Sequence, residues 1–342
     1  MRRPCVDFLL FCILMPAICY GQWTSNLSAN TGVCNLAADQ QFADCASDGV
    51  GGVYIVWQDF RNGNSDIYAQ RLSSAGFSLW AQNGVPISTS PNGKGQPKIL
   101  LVGNGDAQIV WQEEVLPGDY DIYSQRIDKL GITQWAVNGV PVCTETGSQN
   151  SPQFVRDGDG GAIIVWEDYR TGIGDIHAQR LNSDGSLAWG PGKSICIATN
   201  QQSSPMIVSN DDNGATIVWE DLRNGNWDVF AQRIDSSGNA LWANDGMAIC
   251  TFSTNQNNVR LVADGIGGAI YVWQDFRVSG NEILAQRTNK NGVILWPADG
   301  QFICNAANTQ QLPAIATDYE GGAVIAWQDE RFDIPNPDIF AQ

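Results

Sequence analysis

The chain has 342 residues, of which 43% are hydrophobic, and it contains 36 glycines and 13 tryptophans. This composition supplies enough apolar material for a large core and suits many short strands joined by tight turns. Aspartate and glutamate outnumber lysine and arginine by 36 to 19, and the net charge of −17 argues against nucleic acid and anionic membrane surfaces as partners, since both repel an acidic protein.

The first 21 residues have the pattern of a signal peptide. Arg2 and Arg3 precede an apolar run over residues 8–18, and small residues stand at the −3 and −1 positions before Gln22. A lipoprotein acylated on Cys19 is the weaker alternative, because Ile18 is large where such processing needs a small residue. The run is shorter than a membrane span of about 18 residues or more. We therefore expect export, to the medium or the cell surface, without membrane insertion and with a single domain over residues 22–342.

A repeat of about 54 residues runs through the mature chain. Its anchors are six tryptophans, each at the end of an apolar run and spaced 53 to 55 residues apart: Trp57, Trp111, Trp166, Trp219, Trp273 and Trp327. A fixed period of this length is typical of architectures in which each repeat is one supersecondary unit.

Each repeat contains four predicted strands, named a to d in chain order. In the third copy, strand b covers residues 162–166, strand c covers residues 175–181, and strand d runs from Trp189 to Cys196. Strand a follows the Gln and Pro phrase of each unit, and turns rich in Gly, Asn, Asp and Ser separate the strands. No segment has a sustained helical periodicity. The pattern predicts an all-β fold, a six-bladed β-propeller of four-stranded antiparallel blades; an open β-solenoid is disfavoured because its coils usually take fewer residues.

The two ends of the chain predict how the ring closes. Residues from Trp23 to Cys34 match the strand d phrase, and the last repeat has strands a to c and stops at Gln342. An N-terminal strand d would complete the sixth blade and remove the exposed edges of an open array.

The recurring phrases resemble those of a known group of propellers. An Asp-Gly turn, an apolar run and then Asp-x-Arg-x-Gly-x-x-Asp-Ile-Tyr resembles the repeats of TolB-type propellers. The longer unit, with its Ala-Gln-Arg, Trp and Ile-Cys phrases, is similar to an uncharacterised group of exported propeller repeats common in Bacteroidetes and related bacteria. The resemblance covers essentially the whole mature chain. It implies the fold and little about activity, because such propellers serve as binding platforms, accessory domains of proteases and scaffolds.

Residues repeated in every blade are explained first by what every blade needs. The acidic residue two positions after each anchor Trp is followed by an Arg in five copies, for example Asp221 and Arg223. A turn-stabilising ion pair is favoured over a ring of cation or ligand sites, since six equivalent acids serve no reaction. The Asp-Gly-x-Gly-Gly turns, such as the one beginning at Asp157, lack the ligand spacing of an EF-type calcium loop and predict tight turns.

The single histidine and the cysteines carry little evidence of chemistry. His177 stands in a slot filled elsewhere by Tyr, Phe or Leu, which favours packing over catalysis. Five of the six mature cysteines share one slot at the end of strand d, and neighbouring sheets lie about 10 Å apart, too far for a disulfide. We therefore expect free thiols that behave as small buried hydrophobes. We expect no metal and no cofactor.

Candidate binding residues come from departures from the repeat in the loops between strands b and c. Blade 2 has Val115 in place of the Arg and carries Glu113, Glu114 and Tyr120, and blade 4 has Trp227 in a turn slot. Blade 6 inserts residues 333–337 in the same loop. A Trp beside acidic groups offers a surface on which a sugar stacks, although drift in surface loops explains the departures as well.

The sequence alone favours a monomeric, non-catalytic extracellular propeller that binds a protein or carbohydrate ligand or acts as a scaffold. The alternative is a polysaccharide-active enzyme, a glycosidase or lyase, with a carboxylate pair that includes Glu113 or Glu114. A third interpretation is an accessory domain of a longer secreted hydrolase. A deep axial pocket that holds two carboxylates would favour the enzyme.

Overall fold

The computed structural model of the protein describes residues 30–278, 280–332 and 336–342. These residues form 23 strands and one short 3₁₀ turn at Gly103–Gly105. Within this part of the chain there is no helix of the length and hydrophobicity needed to cross a bilayer.

The strands fall into six antiparallel sheets, here called blades 1 to 6. Blade 1 contains β1 (Gln40–Ser47), β2 (Val53–Asp59), β3 (Asp66–Leu72) and β4 (Val85–Ser88). Blade 2 contains β5 (Gly93–Leu101), β6 (Ala107–Leu116), β7 (Asp119–Ile127) and β8 (Val140–Cys143). Blade 3 contains β9 (Gln149–Arg156), β10 (Ala162–Asp168), β11 (Asp175–Leu181) and β12 (Lys193–Cys196).

The second half of the chain repeats the arrangement. Blade 4 contains β13 (Gln202–Ser209), β14 (Ala215–Asp221), β15 (Asp228–Ile234) and β16 (Met247–Cys250). Blade 5 contains β17 (Gln256–Ala263), β18 (Ala269–Asp275), β19 (Glu282–Thr288) and β20 (Gln301–Cys304). Blade 6 contains β21 (Gln310–Thr317), β22 (Ala323–Asp329) and β23 (Asp338–Ala341).

Each blade pairs its strands in chain order, which confirms strands b and c of the sequence prediction and, in blades 1 to 5, a strand d that is shorter than predicted and in blade 3 begins at Lys193. The prediction that strand a follows the Gln and Pro phrase is wrong, because strand a contains it: β13 begins at Gln202 and includes Pro205. The a–b turns are closed by the aspartate that begins them. In blade 3, one carboxylate oxygen of Asp157 accepts hydrogen bonds from the backbone N–H groups of Asp159 and Gly161, both at 2.8 Å. A Cβ at position 161 would collide with the backbone oxygen of Leu181, which explains why glycine ends this turn.

Blades pack face to face through apolar side chains of strands a, b and c. Between blades 3 and 4, Val165 and Ile176 pack against Ile217 and Trp219. One face of blade 6 is more exposed than the equivalent face of blade 3, which packs against blade 4. Val324 and Ile339 of blade 6 are 51% and 72% exposed, whereas the equivalent Ile163 and Ile176 of blade 3 are fully buried.

Blade 6 has three strands among the described residues. The predicted closing segment begins at Trp23, and its part up to residue 29 lies outside the described residues. Residues 30–35 form no strand. Cys34 nevertheless lies 3.9 Å from the carboxylate of Asp59 in blade 1, as Cys143 of β8 lies 4.0 Å from Asp168 in blade 3. Cys34 therefore occupies, relative to blade 1, the position that the end of a preceding strand d occupies in the other blades.

Candidate functional site

The acid that follows each anchor tryptophan is part of a buried cluster at the end of strand b. In blade 4, Asp221 is buried, pairs with Arg223 at 2.6 Å and accepts a hydrogen bond from the indole of Trp219 at 2.8 Å. The same ion pair forms in the four other blades that have the arginine: Asp59–Arg61, Asp168–Arg170, Asp275–Arg277 and Asp329–Arg331. The predicted ion pairs are confirmed, and repeated, internally satisfied groups of this kind serve the fold.

The strand d cysteines join these clusters from the preceding blade. Sγ of Cys196 lies 3.8 Å from the Asp221 carboxylate and 3.0 Å from the Arg223 guanidinium. Burial raises the pKa of Cys196 to about 12, so the thiol stays protonated and unreactive. The six described cysteines are free thiols. Their description as small hydrophobes is incomplete, because a thiol donates to the carboxylate across the blade interface.

His177 is a packing residue in the structure. Its imidazole is buried and stacks on Trp166, with ring centroids 6.4 Å apart. Tyr68, Tyr123 and Phe340 stack in the same way on the anchor tryptophans of their own blades. Burial lowers the pKa of His177 to about 4, so the ring is neutral at physiological pH.

The predicted binding residues of blade 2 have two different environments. Glu113 is buried and accepts hydrogen bonds from the Ser90 hydroxyl at 2.6 Å and the Asn92 amide at 3.1 Å. The buried Lys94 donates to the backbone oxygens of the same two residues and pairs with Asp66 at 3.3 Å. Lys94 therefore supplies positive charge in blade 2, where Val115 replaces the arginine of the other repeats. Glu113 is buried, and its carboxylate oxygens accept hydrogen bonds from groups of the protein itself.

Glu114 and Tyr120 line a cavity of about 290 Å³ beside Gln96 and Phe42, between blades 1 and 2. One oxygen of Glu114 accepts a hydrogen bond from the N–H of Gly118 at 2.9 Å. Trp227 of blade 4 is half-buried and does not line this cavity. The structure thus brings Glu114 and Tyr120 together, apart from Trp227 and Glu113. Binding by these residues stays a prediction.

A pocket of about 480 Å³ lies where the first strands of five blades meet around the propeller axis. Strand a of every blade has a β-bulge, and the first bulged residue has a positive φ: Phe42, Gln96, Ser151, Ser204, Asn258 and Leu312. The first five of these line the pocket, which we call the axial pocket. Proline follows the bulged residue in four blades, as at Pro205, because an inner edge strand with a bulge tolerates a residue without an N–H donor.

The bulged N–H groups of blades 3, 4 and 5 are capped by the residue that directly follows the anchor tryptophan of the preceding blade. The side chain of Gln112 accepts from Ser151 N at 3.2 Å. In the next two blades the cap is a carboxylate: Glu167 accepts from Ser204 N at 2.7 Å, and Glu220 accepts from Asn258 N at 2.6 Å. The shorter distances are those of charge-assisted hydrogen bonds.

Glu220 lines the axial pocket, whereas Glu167 does not line it and instead accepts a hydrogen bond from the backbone N–H of Ser204, which does. Burial raises the pKa of Glu167 above its usual value, against the hydrogen bonds from Ser204 and Tyr169. Burial also raises the pKa of Glu220, and the negative charge of Glu167 adds to this rise, while Arg260 opposes it. One carboxylate therefore lines the pocket and a second caps a lining residue, and burial gives both an increased tendency to hold protons.

The interpretation of the sequence overlooked this pair. The position directly after the anchor tryptophan is Gln58, Gln112, Gln274 and Gln328 in four repeats and glutamate in the two adjacent repeats 3 and 4. Superposing the six repeats on their anchor tryptophans shows this change from amide to carboxylate, but a single substitution inside a strand is a weaker sign of a site than a loop insertion. The bulge that places the position on the axis has no equivalent signal.

Comparison with known proteins supports the fold. No protein family and no curated protein matches the sequence. Among solved structures, an ulvan lyase described as a new family of polysaccharide lyase matches with a TM-score of 0.57 and 11% identity, over 85% of this chain and 78% of the lyase.

Two other matches have lower TM-scores. A protein of unknown function from Dyadobacter fermentans has a TM-score of 0.49 and 10% identity, over 90% of this chain and 94% of that one. A putative TolB from Agrobacterium tumefaciens has a TM-score of 0.43 and 15% identity, over 77% of this chain and 82% of that one. At 11% identity the likeness to the lyase shows a β-propeller fold and no more.

Proposed function

We propose that the protein acts on a polysaccharide that binds in the axial pocket, with Glu167 and Glu220 as the acid–base pair. The observation that supports the proposal is a break in symmetry: glutamate replaces the glutamine of the other four repeats in the adjacent repeats 3 and 4, where Glu220 lines the pocket and Glu167 caps the lining residue Ser204. A binding site for one ligand needs residues that differ between blades, and this pair differs on the axis itself.

The chemistry of the pair suits cleavage of a glycosidic bond. A carboxyl group whose pKa is raised by burial holds a proton closer to neutral pH and can donate it to a leaving oxygen. The second carboxylate then serves as base or nucleophile. The ulvan lyase that shares the fold is said to act on a polysaccharide, and the predicted signal peptide fits a substrate too large to enter a cell.

A second candidate function is a non-catalytic binding module in which the same pocket holds the ligand. It is favoured by the capping hydrogen bonds, because Glu167 and Glu220 perform for the bulges of blades 4 and 5 what the neutral Gln112 performs for blade 3. In that function the carboxylates are structural and no bond is broken.

Isosteric variants separate the two functions. Glu167→Gln and Glu220→Gln keep an oxygen that accepts the bulge N–H, as Gln112 does, and remove only the charge and the acidic proton. With polygalacturonate, ulvan and neutral arabinan as substrates, we expect the native protein to release new reducing ends. Each variant should lower that rate by about 100-fold or more, the usual effect of losing an acid–base group.

The matched control is Glu114→Gln, the same change on the neighbouring cavity, which should keep most of the activity. Equal rates in the native protein and both axial variants would contradict the proposed pair. Binding of a polysaccharide with no release of reducing ends would favour the binding module instead.

A further inference from the structure

Almost every arginine of the described residues is neutralised by an aspartate. Of the twelve arginines in this part of the chain, ten form ion pairs: Arg61, Arg71, Arg126, Arg170, Arg180, Arg223, Arg233, Arg277, Arg287 and Arg331. This is the expected state of a chain in which acidic residues outnumber basic ones by 36 to 19.

The two arginines without an ion pair, Arg156 and Arg260, both lie on strand a of their blades. Arg156 is exposed at the end of β9 and lines a separate cavity near the a–b turns, so its lack of a partner is unremarkable for a solvated side chain. Arg260 is half-buried and lines the axial pocket, and its guanidinium donates to the backbone oxygen of Val259 at 2.8 Å.

Lys98 is a second cation of the axial pocket. It stands on β5 at the position that Arg260 has on β17, it is half-buried, and it forms no ion pair among the described residues. The equivalent residues of blades 3 and 4 are Gln153 and Met206, so the positive charge is not a requirement of the repeat. Because Lys98 belongs to blade 2 and Arg260 to blade 5, the two cations reach the pocket from different sides.

Half-buried cations that form no direct ion pair are costly unless something supplies negative charge, since partial burial removes solvent that would otherwise stabilise them. Glu220 supplies part of that charge to Arg260, without an ion-pair contact. A guanidinium also presents N–H groups in a planar fork that matches a carboxylate or a sulfate. We propose that Lys98 and Arg260 form a subsite for the acidic substituent of the polysaccharide, so that the substrate is an anionic polysaccharide carrying carboxylate or sulfate groups. This inference rests on the proposed function and adds the class of substrate to it.

The net charge of the protein does not prevent such binding. At physiological ionic strength a surface charge is screened beyond about 8 Å, so a group inside the pocket responds mainly to its nearest neighbours. Those neighbours include Lys98 and Arg260 as well as Glu220, whose pKa is raised by burial against the opposing effect of Arg260. An acidic substituent held by Arg260 would weaken that effect and leave Glu220 more readily protonated.

The test measures affinity in the Glu220→Gln background, in which turnover is removed, with thermal unfolding recorded for every variant. The probes are polygalacturonate, which carries carboxylates, dextran sulfate, which carries sulfates, and neutral arabinan. We expect at least one acidic probe to bind, and Lys98→Ala and Arg260→Ala each to weaken it by about 10-fold or more, the usual effect of losing a charge-assisted hydrogen bond. The control is Arg156→Ala, which removes the other unpaired arginine and should change the affinity by less than about twofold.

The two acidic probes identify the substituent, because loss of affinity for polygalacturonate alone indicates a carboxylate and loss for dextran sulfate alone indicates a sulfate. Binding of arabinan that Lys98→Ala and Arg260→Ala leave unchanged, together with cleavage of arabinan by the protein that retains Glu220, would overturn the anionic subsite while the proposed function stands. The same holds if Arg260→Ala and Arg156→Ala lower the affinity for the acidic probes equally. Absence of binding to every probe by the folded protein would overturn the subsite and the proposed function together.

Discussion

At the scale of single residues, the recurring Trp, Asp, Arg and Cys of this protein form one hydrogen-bonded unit. The Asp221 carboxylate accepts hydrogen bonds from the Trp219 indole, the Arg223 guanidinium and the Cys196 thiol. Its buried charge is therefore stabilised by groups of its own blade and of the preceding one. The Arg223 guanidinium also lies 4.0 Å from the ring centroid of Phe230. Repetition of these residues is thus a requirement of blade packing, as the sequence indicated for the Asp and Arg.

Replacing Arg223 with alanine should lower the melting temperature without changing polysaccharide binding. The change leaves the Asp221 carboxylate buried without its cation, which costs about 2 kcal/mol or more. Arg156→Ala, which breaks no ion pair, is the control for loss of an arginine. A melting temperature that stays the same while ligand binding is lost would assign the ring of acids to function instead of stability.

At the scale of strands, the repeat of about 54 residues, short apolar runs and glycine-rich turns were sufficient to predict the blades. Strands such as β10 and β11 were predicted because apolar runs flanked by turn residues have few other interpretations. The strand a bulge could not be predicted in the same way. Its positive φ falls on Gln96, Ser204 or Leu312, residue types that carry no common signal for that conformation.

The cross-strand pair of Trp166 on β10 and His177 on β11 gives a pH-dependent prediction. The pKa of His177 falls from 6.5 to about 4 on folding because burial disfavours the charged ring. Between pH 6.5 and about pH 4 the histidine is protonated in the unfolded chain but not in the folded protein. The free energy of unfolding therefore decreases as the pH falls through this range. The decrease amounts to about 3 kcal/mol at most.

His177→Phe should remove that dependence, because phenylalanine occupies the equivalent position at Phe340, stacked on Trp327, and does not titrate. Denaturant unfolding at pH 7 and at pH 4 measures it: the native protein should lose more stability between the two values than the variant. The same loss in both proteins would contradict the neutral, buried imidazole.

At the scale of the whole molecule, the six-fold repetition hides the few positions that differ between blades. The prediction that a site must use departures from the repeat directed attention to Glu113, Glu114, Tyr120 and Trp227 in the loops. The structure adds two further differences from the repeat, Glu167 and Glu220, inside strand b at the axial pocket. Their relation to the pocket depends on which side chains of strand b face it. That information is set by the packing of neighbouring blades, and it is absent from any one repeat.

Hydrogen–deuterium exchange of the Glu220→Gln protein tests most directly whether a polysaccharide binds in the axial pocket. Exchange is measured with and without the polysaccharide that the protein binds best among polygalacturonate, ulvan and arabinan. The bulged amides of Ser204 and Asn258 line the axial pocket, so ligand should slow exchange in the peptides of β13 and β17. Slower exchange confined to the loops around Glu114 and Trp227, with β13 and β17 unchanged, would place the ligand on the rim and contradict an axial site.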